Sequence, residues 1–242
     1  MATLAAGQFF ETSLASGSIY HITSNNPILV GQFAKGEDAD GVWETFFSED
    51  LHGTYYDFTI HGYDEPGNHF YETNPVHISD PYSRVSDNTW GKSRIWRRTT
   101  PATPLQAGIP AMQDIIPYEV HIQDFPDLLP VDDKYKGTFR GMMTPGLRNK
   151  RGAKIGFDYL VDLGVNTIHL MPVQEYLHYP DAAWQAAFGD DPFMQAQGVA
   201  EENYQWGYRT THALAVESRF RSEGDEPGRE RERFRDLVDA LH

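Results

Sequence analysis

The stretch DYLVDLGVNTIHLMPV, residues 158–173, decides how the chain is read. With the residue before it, Phe157, Leu160 and Val161 fall at i, i+3 and i+4, one face of an α-helix. Gly164 supplies the stop, because glycine takes the left-handed backbone conformation that ends helices at little steric cost. Behind it VNTIHLMPV, 165–173, is a short, mostly apolar run that reads as a strand. A second such run, 115–122, lies within DIIPYEVHIQDF. Strand, helix and strand within about 60 residues imply a parallel pair with a crossover.

Working outward, the first hundred residues follow a different grammar. IYHIT, PILVGQF, GVWETFF, GTYYDFTIHG and NPVHIS are short runs of β-branched and aromatic residues, each bounded by Gly, Pro, Asn or Asp. In YYDFTIHG the alternation places Tyr56, Phe58 and Ile60 on one face and Tyr55, Asp57, Thr59 and His61 on the other. A small antiparallel sandwich over 1–100 is the natural architecture, and the proline-rich, aperiodic 101–114 reads as a linker. At the other end, DEPGRERERFRDLVDALH opens with acidic residues and Pro227, as a helix start does, and puts Phe234, Leu237, Val238 and Leu241 on one stripe. That stripe is still running at His242, with no stop signal behind it, so the chain is expected to be the front part of a longer protein. Expressed alone, 115–242 is expected to expose apolar surface.

Composition narrows the partners. Twenty Lys and Arg against 35 Asp and Glu give a formal charge of −15 over 242 residues, a field that repels nucleic acid and acidic membranes. Neutral sugars and peptides are not penalised. The chain has no cysteine, which excludes disulfides, thiolate catalysis and cysteine-ligated metal. The ten histidines show no metal-site spacing, so neither a metal nor another cofactor is expected. There is no signal-peptide pattern and no membrane-length apolar run; a soluble protein is expected, with a cytoplasmic location favoured and the oligomeric state left open.

YEVHIQDF, DYLVDLGVNTIHLMPV, NYQWGY and RFRDLVDALH, in this order and at about this spacing, resemble the start of the catalytic barrel of the α-amylase superfamily, glycoside hydrolase family 13, and within it the pullulanase and debranching branch. GVWETFF, LHGTYYDFTIHG and DPYSRV resemble the late strands of the family 48 carbohydrate-binding module that precedes such barrels. The resemblance implies a β-sandwich domain over 1–100 and, over 115–242, the first two β/α units of a (β/α)8 TIM barrel, which is thereby incomplete. A whole barrel takes about 250 residues. It also implies an α-glucan substrate such as pullulan, starch or glycogen, a retaining mechanism in the parent, and catalytic carboxylates beyond His242. Retaining glycosidases need two carboxyls about 5 to 5.5 Å apart. An α-1,4-acting or branching member, or a non-catalytic glucan-binding protein, stays open beside this reading.

The segment NYQWGYRTTH, 203–212, is the candidate site. A pyranose has an apolar face of C–H bonds that a flat aromatic ring covers at little cost in conformational entropy. By the resemblance, the tyrosine of the Gly207-Tyr208 pair packs against the sugar beside the scissile bond. Trp206 and Tyr204 shape its surroundings, and Asn203 and Gln205 add hydrogen-bonding capacity. Where the family has Asp-Pro next, this chain has Arg209-Thr210, which changes the charge beside the first subsite. Glu201 and Glu202 read as solvated loop residues, and His121 and His169 as hydrogen-bonded core. Trp43, Tyr55, Tyr56, Trp90 and Trp96 offer either a glucan platform or packing. Tyr179, Trp184, Phe188 and Phe193, in the long connection 176–203, offer a lid or simple packing.

Overall fold

In a computed structural model of the chain, the parallel pair is present as the sequence requires. The structure describes residues 48–60, 76–89, 91–179, 181–198, 200 and 206–242. Trp43, Trp90, Glu201, Glu202, Asn203, Tyr204 and Gln205 therefore lie outside the described residues. Residues 1–49 and 50–242 group as separate units, and everything below concerns the second.

Its elements run β1 (Tyr55–Tyr56), β2 (Phe58–Ile60), β3 (Val76–Ile78), β4 (Ser93–Arg94), β5 (Pro117–Val120), α1 (Asp124–Asp127), α2 (Phe139–Met142), α3 (Phe157–Leu163), β6 (Thr167–Leu170), β7 (Gln174–Tyr176), α4 (Asp181–Phe188), α5 (Pro192–Ala196), β8 (Thr210–Val216) and α6 (Glu230–Leu241). Among the described residues all four sheets are two-stranded: β1 with β4, β2 with β3, β5 with β6 and β7 with β8. These small sheets do not by themselves draw a sandwich or a stretch of barrel. No helix among them is long and apolar enough to cross a membrane.

β5 and β6 pair in parallel from Pro117↔Thr167 to Val120↔Leu170, with α3 in the crossover. Gly164 closes α3 at φ 78°, the left-handed stop expected of it. Only part of the expected α3 stripe is covered: Leu160 is buried, whereas Val161 is exposed. His169 is likewise exposed, not a core residue, because β6 turns it away from the side that packs on the core.

The core joins Val120, Ile122, Phe139, Met142, Leu160, Tyr176, Phe220 and Leu237. Each large apolar side chain buried this fully stabilises by roughly 1.5–3 kcal/mol. α6 contributes the stripe anticipated from its period: Leu237 is wholly buried, Phe234 meets Phe139 with ring centroids 5.4 Å apart, and Leu241 packs alongside. Pro227 does not open this helix. It sits in the turn before it, where its carbonyl accepts from Arg94, and α6 begins at Glu230. Trp96 donates its indole N–H to Glu232 Oε1 at 2.9 Å and meets His52 at 4.5 Å, so it is a packing residue rather than a platform.

The head of α6 makes stability pH-dependent. Burial pushes the Glu230 carboxyl up to about 7 from an ordinary 4.5, against the N–H donors around it, Gly228 included, and the charge of Arg221. Between those values the folded state holds a proton that the unfolded state has released. Stability from this group is therefore present near pH 4.5 and declines as pH rises through 7. Glu230→Gln is expected to remove that decline in thermal melts across the window; identical slopes in both proteins would contradict the assignment.

Candidate functional site

The aromatic rim is built around one glycine that has no freedom to be anything else. Gly207 sits at φ 85°, and a Cβ placed there would lie 2.8 Å from the Pro172 carbonyl oxygen and 3.2 Å from the Tyr176 ring. The backbone is wedged between the end of the second parallel strand and the wholly buried Tyr176. A buried residue flanked by two that point out is the result: Trp206 is 62% exposed and Tyr208 67% exposed. Arg209 and Thr210 are exposed too. The structure thus brings Trp206, Gly207, Tyr208 and Arg209 together at one edge, and Tyr204 lies outside the described residues.

What fixes this rim in place was not legible in the sequence. The segment 210–216 is a strand, β8, antiparallel to β7 with Tyr176 opposite Thr210, Glu175 opposite His212 and Gln174 opposite Val216. The Leu177 N–H donates to the Arg209 carbonyl at 2.8 Å, extending the ladder to the rim itself. Two register shifts accompany the pairing, so burial along β8 does not alternate residue by residue. His212 is buried by it, and burial lowers its imidazole below the usual range.

Behind the ladder lies a charged cluster that the sequence concealed. Glu175 and Glu217 are wholly buried, and the His178 Nε2 stands 3.5 Å from Glu175 Oε1 and 3.2 Å from Glu217 Oε1. Backbone donors aim the two carboxylates: Ser218 N–H reaches Glu175 Oε2 at 2.8 Å, and Tyr176 N–H reaches Glu217 Oε2 at 3.1 Å. Arg219 N–H adds a second bond to Glu217, at 2.9 Å. Thr89 ties the same region to the β-rich part, donating to the Tyr176 carbonyl at 2.5 Å. Burial by itself would lower the His178 imidazole, but the two carboxylates outweigh it and push it up to about 9. Burial raises the Glu175 carboxyl. The one local signal was the spacing Glu175-x-x-His178 at the start of the long connection. Both carboxylates are shut from solvent, unlike a pair that must meet a glycosidic oxygen.

The remaining candidates sort by contact. His121 is buried edge-on to Phe220, as a core residue, with Nδ1 3.1 Å from Asp124 Oδ2; neither ring nitrogen makes a well-aligned hydrogen bond, contrary to expectation. The long connection after β7 folds into α4 and α5, where Trp184 and Phe188 stack on each other at 4.6 Å while Phe193 and Tyr179 are exposed. In the β-rich part, Tyr55, Asp57, His77 and Lys92 line an open groove of about 560 Å³. Arg94 lies over the Tyr55 ring at 5.2 Å.

No family model matches the chain. It is 32% identical over 126 residues to the glycogen debranching enzyme of Dickeya chrysanthemi, a match covering 52% of this chain and 15% of that one. It is 28% identical over 211 residues to the 1,4-alpha-glucan branching enzyme GlgB of Mycolicibacterium paratuberculosis, covering 84% and 21%. Among solved structures it is similar to a pullulanase complexed with maltotriose from Anoxybacillus sp. LM18-11, with a TM-score of 0.61 at 20% identity, over 85% of this chain and 26% of that one. The chain spans about a quarter or less of the length of these relatives. Over that span it shares its fold with part of a pullulanase.

Proposed function

We propose that the chain is the glucan-positioning part of an α-glucan-active glycoside hydrolase of the α-amylase superfamily, pullulanase-like and acting on α-1,6 branches, a reading supported by its similarity to a glycogen debranching enzyme and a pullulanase. In this reading residues 1–100 are a carbohydrate-binding-module-like sandwich, 101–114 a linker, and 115–242 the opening β/α units of a TIM barrel. The β5–α3–β6 crossover supports the barrel assignment, because successive barrel strands are parallel with a helix between them. The whole protein cleaves by the retaining mechanism of the superfamily, with a carboxyl pair that Glu175 and Glu217 do not supply.

One observation carries the proposal: Trp206 and Tyr208 project into solvent from a glycine that is locked in place. Large rings held rigidly in water are costly to leave bare, and they lose little further freedom when a sugar covers them. Tyr208 is the floor of the subsite beside the scissile bond, Trp206 its flank, and Arg209 the polar neighbour. The branching-enzyme match favours a second reading, in which the same rim serves a glucan transferase.

Electrophoresis of the 242-residue chain in gels containing amylopectin tests this. The wild-type chain is expected to be retarded, and the double variant Trp206→Ala, Tyr208→Ala to migrate as it does without polysaccharide. Equal retardation of the two would move any glucan affinity away from this rim.

A further inference from the structure

The cluster behind the rim has the chemistry of a site that nothing in the fold's catalytic role requires. Glu175 arises from β7, His178 from the segment after it, and Glu217 from the residue following β8, so three chain positions converge only because the two strands pair. One ligand atom from each lies within 4.8 Å of the others, and the two edges at the imidazole measure 3.5 and 3.2 Å. A tetrahedral ion with bonds of about 2.1 Å sets its ligands about 3.4 Å apart. These two edges match, and the third, between the carboxylates, closes within 4.8 Å.

Two further observations point the same way. His178 is only 8% exposed, and its Nε2 is shut from solvent with no hydrogen bond of acceptable geometry, although two carboxylate oxygens stand beside it. An oxygen of each carboxylate lies within 3.5 Å of it. The carboxylates, for their part, are held by Ser218, Tyr176 and Arg219 N–H groups, with the Ser218 hydroxyl 3.3 Å from Glu175 Oε1. Such outer-sphere bonds orient the ligands of metal sites.

We propose that Glu175, His178 and Glu217 bind one divalent transition-metal ion, of the zinc class, which clasps β7 to β8 beneath the Trp206–Tyr208 rim. An imidazole with two carboxylates suits zinc, cobalt or manganese better than calcium or magnesium, which prefer oxygen alone. The three protein ligands are buried, and a tetrahedral ion held by them keeps a fourth position for a ligand from outside the cluster. The proposal does not depend on the glucan assignment.

The test uses the 242-residue chain, stripped with chelator and titrated with Zn²⁺ or Co²⁺. One ion per chain is expected, together with a rise in melting temperature. The cobalt form should show the strong visible absorption of a tetrahedral centre, and the zinc-edge spectrum one imidazole nitrogen with oxygen neighbours. His178→Gln is expected to weaken binding on the order of 100-fold, while His242→Gln, remote from the cluster, leaves it unchanged. If His178→Gln does not fold, the wild-type stoichiometry and edge spectrum decide alone. Failure of the stripped wild-type chain to retain an ion, or a bound ion lacking imidazole, would overturn the site.

Discussion

Tyr208→Ala, introduced into a longer active protein that carries this segment, is expected to lower kcat/KM on pullulan about 100-fold, the scale of lost substrate positioning. The exposed ring makes no contact on which the core relies, so the variant should melt as the parent does. The loss should fall on turnover more than on stability, because a sugar that is no longer held flat still enters the cleft but reaches the cutting carboxyls in the wrong orientation. Tyr208→Phe should restore most of the rate, since stacking needs the ring and not the hydroxyl. Steady-state kinetics on the three proteins measure this, and unchanged kinetics for the alanine variant would dismiss the assignment.

Glu217→Ala is expected to destabilise the chelator-treated chain by about 3–5 kcal/mol, the cost of removing one partner from a buried ion pair. Its carboxylate accepts from the Tyr176 and Arg219 N–H groups and faces His178, so truncation strands two backbone donors and leaves the imidazolium with half its counter-charge. The Tyr176 ring that backs Gly207 shares the affected strand, and the rim should loosen with it. Urea denaturation followed by circular dichroism gives the value. A change below about 1 kcal/mol, the range of exposed pairs, would mean the cluster is not a lock.

The contrast between these two residues also marks what the sequence could tell. Tyr208 is proposed from the resemblance of its segment, whereas α6 and the β5–α3–β6 crossover were legible because period and stop signals are local. Glu217 was not. Its partner strand begins 43 positions upstream, at Gln174, beyond any hairpin signal, and β7 has only three residues. A buried glutamate is also written with the same letter as a solvated one. The acidic composition, sound as an argument against nucleic acid, disguised two carboxylates that face inward. Val161 erred in the other direction, since its place on the α3 stripe is correct by period yet exposed. Periodicity names a face, but only packing says whether that face is covered.

The central claim is that the Tyr208 ring receives the C–H face of a glucose unit. Saturation-transfer NMR measures this contact directly, with maltotetraose over the 242-residue chain and over its Tyr208→Ala variant. The ring-face sugar protons should gain saturation from the wild-type chain and lose most of it in the variant, and equal transfer from both proteins would contradict the claim.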